Sequence, residues 1–228
     1  MHKNREIEEF LLSHGAGQVG FCRIEPDASP FQLSYAISYT VPLSDAIVDQ
    51  IDGAPTHTYF HHYRAVNALI DQLSLRCGRL VAQDGYRDVP IPASQSVNGL
   101  QGIFSHKLAA VRAGLGAIGK SGLFLSTQNG PRVRLGTVLT DYPAAEDFKT
   151  PSCPCGSCRL CAAACPAMAI TGKLWHSGDD RDVILDAKAC SDYMKREFQR
   201  IGRGSVCGIC MRVCPKGQIH SATDPDRD

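Results

Sequence analysis

The sequence has no long apolar run and no marked excess of either charge. Its 228 residues contain no stretch of about eighteen apolar residues, so we expect no membrane-spanning helix. The opening MHKNREIEEF also lacks the basic-then-apolar order of a signal peptide. Because the formal net charge is only +1, the sequence gives no support for an extended contact with nucleic acid. Neither a membrane nor a nucleic acid is therefore an expected partner.

Cysteine is scarce in the first two thirds of the chain and abundant afterwards. Of eleven cysteines only Cys22 and Cys77 precede residue 150, and both lie in apolar patterns typical of a core. A secreted disulfide scaffold is usually much shorter than this chain. We therefore predict two domains, residues 1–150 and 151–228, and we expect a chain with so many free thiols to reside in the cytoplasm.

The later cysteines have the spacing of a ferredoxin. A run of the form C-x2-C-x2-C-x3-C-P, which binds [4Fe-4S] clusters in bacterial ferredoxins, is made by Cys155, Cys158, Cys161, Cys165 and Pro166. A partial repeat, C-x2-C-x3-C-P, is made by Cys207, Cys210, Cys214 and Pro215. The repeat lacks one ligand, and Cys190 is its natural supplier.

Crosswise ligation follows from this order, because the fourth cysteine of such a run binds the other cluster. One predicted cluster is held by Cys155, Cys158, Cys161 and Cys214. The other is held by Cys165, Cys190, Cys207 and Cys210. A zinc ribbon is the alternative, since two C-x2-C pairs suit tetrahedral zinc, but zinc does not explain two C-x3-C-P endings. Cys153 is expected to be a bystander thiol.

The first 150 residues alternate between helical and strand patterns, which predicts an α+β domain. The clearest helix covers residues 58–85, with one continuous apolar face. A shorter helix is predicted in FSHKLAAVRAG, and strands in QVGFCRI, LSYAISYT and YRDVPI. TQNGP, between the apolar segments GLFLS and RVRLGTVLT, predicts a hairpin.

The stretch AGLGAIGKSG, residues 113–122, fits both the P-loop and the dinucleotide-binding pattern. Both motifs require a strand before the glycines and a helix after them. Here a helical pattern precedes and a strand pattern follows, so Gly114 is predicted to cap the helix and neither ATP nor NAD is expected. Two interpretations remain open. The turn either contacts another ligand, or it is a tight structural turn with a solvated Lys120.

The segment AGLGAIGKSGLFLSTQNGPRVRLGTVLTD, followed by the two cysteine runs, resembles epoxyqueuosine reductases and, more distantly, reductive dehalogenases. The match is good over residues 105–216. The resemblance implies a nitroreductase-like α/β domain that holds a corrinoid, against which a ferredoxin-like double [4Fe-4S] domain is stacked. It implies cobalamin as the cofactor, with flavin less favoured. The residues implied to line it are Gly116, Ala117, Gly119, Lys120, Ser121 and Arg132. Gly116→Val is then expected to remove cofactor binding and to leave the iron content unchanged.

The sequence departs from that family in its acidic residues. Epoxyqueuosine reductases carry a D-x-x-P-x-x-E-R stretch before the glycine turn, but here its acidic positions fall on Leu100 and His106. No aspartate or glutamate lies between Val89 and Asp141, so the proton donor is not where the family has it. Substitute acid–base candidates are His57, His61 and His106, although surface histidines without a catalytic role are the alternative for the first two.

Two functions are consistent with these patterns. The first is an iron–sulfur oxidoreductase, resembling epoxyqueuosine reductase, that passes electrons from two clusters to a corrinoid and an unidentified substrate. The second is an electron-transfer protein that delivers electrons to a partner, such as a corrinoid protein. In either case we expect a ferredoxin or flavodoxin as electron donor. A cluster with a structural role in a nucleic-acid-binding protein is disfavoured by the near-neutral charge.

Overall fold

A four-stranded antiparallel sheet forms the centre of the computed structural model, which describes residues 2–25, 28–97, 99–144 and 150–217. Its strands are β1 (Gln18–Arg23), β2 (Tyr35–Pro42), β3 (Asp88–Ile91) and β6 (Val133–Thr140), in the order β1-β2-β6-β3. A separate two-stranded sheet pairs β4 (Gly116–Ile118) with β5 (Phe124–Ser126). The predicted α+β class is confirmed. The nitroreductase-like character of the first part stays a prediction.

Helices cover both faces of the larger sheet because its strands alternate between two apolar clusters. Ile37 and Tyr39 of β2 face one cluster, which contains α1 (His2–Ser13) and α3 (His57–Ala82). Ala36 of β2 and Leu135 of β6 face the other, which contains α4 (His106–Arg112). The short α2 (Asp45–Val48) follows β2. Of the described helices, none is long and apolar enough to cross a membrane.

The long predicted helix is confirmed as α3, which begins one residue and ends three residues earlier than predicted. Thr56 caps α3 by accepting a hydrogen bond from the Tyr59 backbone amide at 3.0 Å. At the end of α4, Gly114 has a φ of 72°, and its amide donates to the Val111 carbonyl while Leu115 donates to Ala110. This is the Schellman arrangement, so the predicted helix cap at Gly114 is confirmed. β4 begins two residues later, which is the reverse of the order that a phosphate-binding loop needs.

The predicted hairpin at TQNGP is wrong. β5 pairs with β4, while β6 pairs with β2 and β3 in the other sheet. The turn closes only through a bridge between Ser126 and Gly130. Pro131 has no amide with which to extend a ladder, and the Arg132 side chain is directed to α2. The chain therefore leaves β5 and enters the larger sheet.

The cysteine-rich part consists of short helices and turns packed on the first part. Its helices are α5 (Leu160–Ala163), α6 (Ala187–Glu197) and α7 (Ile209–Arg212). Phe198, Ile201 and Ile209 join the same buried cluster as Ile51 and Tyr59 from the first part. Burial of these apolar side chains stabilises the contact by roughly 25 cal/mol per Å² removed from water. The two parts thus share a core, and the boundary at residue 150 stays a prediction.

Candidate functional site

The first set of cysteines converges from opposite ends of the cysteine-rich part. Burial raises the pKa of the Cys161 thiol, and the neighbouring thiols Cys155, Cys214 and Cys158 raise it further. All four line one small pocket, together with Ser121. Cys214 thus lies beside cysteines that precede it by more than fifty residues. This grouping supports the crosswise assignment and provides the four thiolates that one [4Fe-4S] cluster needs.

The second set lies beside the first. Burial raises the pKa of Cys190 to about 11, with further contributions from Cys207 and Cys165. Burial also raises the pKa of Cys210, and Cys207, Cys190, Cys161 and Cys165 all add to the effect. Iron binds the thiolate form, so cluster binding displaces these protons. Cys161 belongs to the first set and contributes to the raised pKa of Cys210 in the second. The two candidate centres are therefore neighbours.

Cys153 lies next to the first set, where it hydrogen-bonds Cys155. Burial is the main cause that raises its pKa, to about 11, and Lys120 opposes the rise. Four other thiols line that pocket, and one [4Fe-4S] cluster needs only four. We therefore keep the prediction that Cys153 is not a ligand.

The glycine turn packs beneath the first set of cysteines. A Cβ added to Gly116 would overlap the Leu125 carbonyl oxygen, and one added to Gly119 would lie 2.8 Å from the Leu125 side chain. The Lys120 side chain is only 7% exposed, and its Nζ donates to the carbonyls of Gly156 and Cys158 at 2.6 and 3.1 Å. The solvated Lys120 expected in one interpretation is therefore wrong, because the ammonium group holds the cysteine loop.

The remaining residues proposed to line a corrinoid also face protein. Ala117 is buried, and Ser121 borders the pocket of the first cysteine set. Arg132 is 2% exposed and donates to Asp45 at 2.6 Å and Asp49 at 2.7 Å. All six residues have contacts within the chain, around the cysteines and α2, and their role in lining a corrinoid stays a prediction.

Lys120→Met is expected to loosen the first cysteine loop. Two carbonyls, those of Gly156 and Cys158, would lose the charged donor that ties them to the glycine turn, although water can reach the exposed Gly156. After anaerobic reconstitution, a chelator should strip iron faster from the first cluster than from the second, as followed by visible absorbance. The exposed Lys173→Met is the matched control. Equal stripping in both variants would contradict this role for Lys120.

A cleft opens between the sheet and the cysteine-rich part. It has two lobes, of about 400 and 450 Å³, which share a wall. That wall consists of Leu100, Gly102, Phe104, Ser105 and Lys107. The first lobe extends to Arg134 and Met211, and the second to Asp179 and Arg181. Among the described residues that line the cleft, none belongs to the predicted corrinoid-lining set.

Lys107 borders both lobes and has an altered pKa. The pKa of its ammonium group is lowered from 10.5 to about 8: burial is the main cause, the nearby Arg181 and Arg134 contribute, and Cys210 opposes them. Its Nζ donates to the Gly122 carbonyl, in the glycine turn. A lysine with this pKa can release a proton near neutral pH, whereas an exposed lysine holds it.

The stability of the fold is expected to reflect this pKa. Between pH 8 and 10.5 the unfolded chain binds more protons at Lys107 than the folded chain does, so folded-state stability rises with pH in that window. Relative to Lys107→Met, which does not titrate, the wild type should become more stable between about pH 7.5 and 9.5. Urea unfolding midpoints at both pH values measure this. A difference that stays constant with pH would contradict it.

His106 lies at the rim of the cleft but is held by the sheet. Its Nε2 lies 3.0 Å from the Pro92 carbonyl, which only accepts, so Nε2 carries the proton. Its Nδ1 then accepts from the Thr137 hydroxyl at 2.8 Å. Burial lowers the pKa of the ring, which keeps it neutral. As a catalytic candidate His106 thus has both nitrogens engaged by protein.

His57 and His61 lie in the first turns of α3, outside the residues that line the cleft. Their neighbour His62 has a structural role, since its Nε2 accepts the Ser44 backbone amide at 2.9 Å. Within the described part of the chain, no three histidine, cysteine or carboxylate side chains are grouped so as to hold a single metal ion. Neither His57 nor His61 is therefore brought into the cleft.

Carboxylates reach the cleft from the cysteine-rich part. Asp179 and Asp180 line the second lobe, although the stretch between Val89 and Asp141 has no acidic residue. The Asp179 carboxylate accepts the His176 backbone amide at 2.8 Å, and Asp180 caps a short helical turn. The acidic cluster GDDRD at residues 178–182 was the available sequence signal, but it lies beyond the segment in which the family has its acid.

Comparison with known families identifies the cysteine-rich part. Residues 154–217 match the family model described as a 4Fe-4S double cluster binding domain. This match covers the eight predicted ligands and supports two [4Fe-4S] clusters.

The curated proteins that resemble this chain in sequence are named as reductases. The chain is 34% identical over 133 residues to an epoxyqueuosine reductase of Lactococcus garvieae, covering 52% of this chain and 35% of the relative. It is 33% identical over 128 residues to a tetrachloroethene reductive dehalogenase of Desulfitobacterium hafniense, covering 49% and 22%. The chain thus spans about a third or less of the length of these curated relatives.

Solved structures of the same two families share the fold. A catabolic reductive dehalogenase in complex with 3-bromo-4-hydroxybenzoic acid superposes with a TM-score of 0.76 at 23% identity, covering 93% of this chain and 31% of that one. An epoxyqueuosine reductase of Streptococcus thermophilus superposes with a TM-score of 0.64 at 20% identity, covering 95% and 66%. The resemblance to epoxyqueuosine reductases and reductive dehalogenases is confirmed in sequence and in fold.

Proposed function

We propose that the chain is an iron–sulfur reductase in which the second cluster passes electrons to a group bound in the cleft. The observation that carries the proposal is the position of Cys210. Met211, the next residue, lines the first lobe, and Cys210 acts electrostatically on Lys107 in the shared wall. A cluster on the second cysteine set would therefore lie against the cleft. The relatives in sequence are named as reductases, which supports a reduction as the reaction.

The first cluster is the entry point for electrons in this proposal. It adjoins the second through Cys161 and Cys210. Leu160, which precedes Cys161 of the first set, is 53% exposed, and Met168, which follows Cys165 of the second set, is 89% exposed. Apolar surface therefore reaches solvent beside both sets of ligands. A ferredoxin or flavodoxin could dock there and donate single electrons. The order is then donor, first cluster, second cluster and cleft.

A corrinoid is the group that we propose for the cleft, with flavin as the alternative. When bound, a corrinoid supplies a strongly reducing cobalt centre. The lobe volumes lie in the range of ligand sites. Arg181 provides the fit test: its Nε is buried, lies 3.8 Å from the Asp182 carboxylate and has no hydrogen-bond partner among the described residues, although the side chain borders the second lobe. A carbonyl oxygen of a ligand would accept its hydrogen bond. Ser94, Gln95 and Gln101 add polar groups around the rim.

Lys107 is the proton donor that we propose for the reduced substrate. It borders both lobes, and the pKa of about 8 leaves it able to give up a proton at neutral pH. Asp179 is the second candidate, but its carboxylate already accepts the His176 backbone amide. His106 is neutral and has both nitrogens engaged, so we assign it to positioning the cleft wall.

Anaerobic reconstitution followed by titration with cobalamin tests the reductase proposal. We expect saturable cobalamin binding, seen as a change in the visible spectrum, that is lost when the cleft is filled by Gly102→Trp. The exposed Leu75→Trp on α3 is the control, since it adds the same bulk away from the cleft. If neither cobalamin nor flavin binds the iron-loaded protein, the electron-carrier alternative replaces the enzyme.

A further inference from the structure

A second concave site, the arginine pocket, lies between α3 and residues 199–205. Its volume is about 600 Å³, and three of its lining residues are Arg64, Arg200 and Arg203. Its lining contains no carboxylate among the described residues. Within the part of the chain that the structure describes, none of the three arginines forms an ion pair. Three unpaired guanidinium groups at one concavity favour an anion.

Neutral donors complete the arginine pocket. Asn67 accepts a hydrogen bond from Arg134 Nε at 2.9 Å through its Oδ1, which leaves its amide NH₂ group to donate into the pocket. The Arg64 guanidinium lies 5.6 Å from the centre of the Phe60 ring, and this stacking restricts its orientation. Gln199 provides a further amide.

The loop that carries Arg203 has an unusual backbone. Gly202, Arg203 and Gly204 have φ values of 61°, 58° and 68°, all in the left-handed region. A non-glycine residue rarely adopts this conformation, because its Cβ then crowds the backbone. A Cβ on Gly202 would overlap the Phe60 ring, and one on Gly204 would lie 2.5 Å from the backbone of Lys195. The glycines thus let the loop approach α3 and α6 and present Arg203 at the pocket.

We propose that the arginine pocket binds the phosphate of a phosphate ester. A carboxylate offers two oxygens, whereas three guanidinium groups and two amides supply more donors than two oxygens can accept. Phosphate oxygens, which are charged and more numerous, match this set. Ser94 lines both the arginine pocket and the first lobe of the cleft, so one ligand can occupy both. This connection rests on the proposed function. The phosphate belongs either to a substrate or to the nucleotide tail of the corrinoid.

Calorimetric titration of the anaerobically reconstituted protein with inorganic phosphate tests the proposal. We expect binding that weakens as salt is added and that falls about tenfold or more in the double variant Arg64→Gln, Arg203→Gln. Both side chains are exposed, so the variant should keep its fold. Arg79→Gln, also exposed and on the same helix, is the control and should bind like the wild type. No phosphate binding, or binding that the double variant leaves unchanged, would overturn the proposal.

A comparison of cobalamin with cobinamide, which lacks the nucleotide tail and its phosphate, distinguishes the two sources. If the tail supplies the phosphate, cobalamin binds more tightly than cobinamide, and the double variant removes the difference. If a substrate supplies it, both corrinoids bind alike and inorganic phosphate still binds to the cobalamin complex. Should no corrinoid bind while phosphate does, the proposed cofactor fails and the phosphate site stands.

Discussion

Replacing Cys190 by alanine is expected to lower the iron content from about eight atoms to about four per chain. The second cysteine set would lose one of four ligands, whereas the first set, which includes Cys161 and Cys214, would remain complete. Cys190 lies on α6 and belongs to neither of the two cysteine runs, so its replacement leaves the sequence of both loops intact. Iron analysis after anaerobic reconstitution, with electron paramagnetic resonance of the reduced protein, measures the loss.

Cys153→Ala is the matched control, because Cys153 lies beside the first set but is not an expected ligand. It should retain about eight iron atoms and the signals of both clusters. If Cys190→Ala also retained both clusters, our ligand assignment would be wrong, and Cys153 would become the candidate for the missing ligand.

Gly116→Val is expected to disrupt the fold and to remove iron as well as any cofactor. A Cβ at this position would overlap the Leu125 carbonyl oxygen and lie 2.7 Å from the Phe124 ring. The backbone cannot retreat without breaking the pairing of β4 with β5. Overpacking of this kind costs about 1–3 kcal/mol or more, and here the obstacle is backbone rather than a flexible side chain. The earlier expectation, loss of cofactor with unchanged iron, assumed that Gly116 faces a ligand.

The thermal unfolding midpoint and the iron content of the reconstituted variant measure this effect. Gln128→Val serves as the control, since Gln128 is exposed in the turn that follows β5. It should unfold and bind iron like the wild type. A Gly116→Val protein that folds normally and retains its iron, but loses cobalamin, would contradict the packing that we describe and restore the ligand-facing interpretation.

Local patterns in the sequence were sufficient to predict the elements that depend on neighbouring residues. The apolar period of α3, the glycine cap of α4 and the cysteine spacing each involve residues close in the chain. The partner of β5 could not be predicted in this way. TQNGP has the composition of a hairpin turn, but the buried Arg132 guanidinium bonds Asp45 and Asp49, and the following strand pairs in another sheet.

The cleft was missed for a similar physical reason. Its lining combines Lys107 with Arg134, from β6, and with Arg181, from the cysteine-rich part. Nothing in the local sequence around Lys107 distinguishes it from a surface lysine, because its lowered pKa arises from burial and from those distant cations. In contrast, the conspicuous Lys120 of the glycine motif bonds two backbone carbonyls of the cysteine loop.

Rapid-mixing measurement of cobalt reduction in the cobalamin-loaded protein tests the central claim, that electrons enter the cleft from the second cluster. A chemically reduced ferredoxin would be mixed with wild type and with Cys190→Ala, and the visible spectrum would report clusters and cobalt separately. We predict cobalt reduction in the wild type. In Cys190→Ala, the first cluster should still be reduced while the cobalt is not. Equal rates of cobalt reduction in the two proteins would contradict the claim.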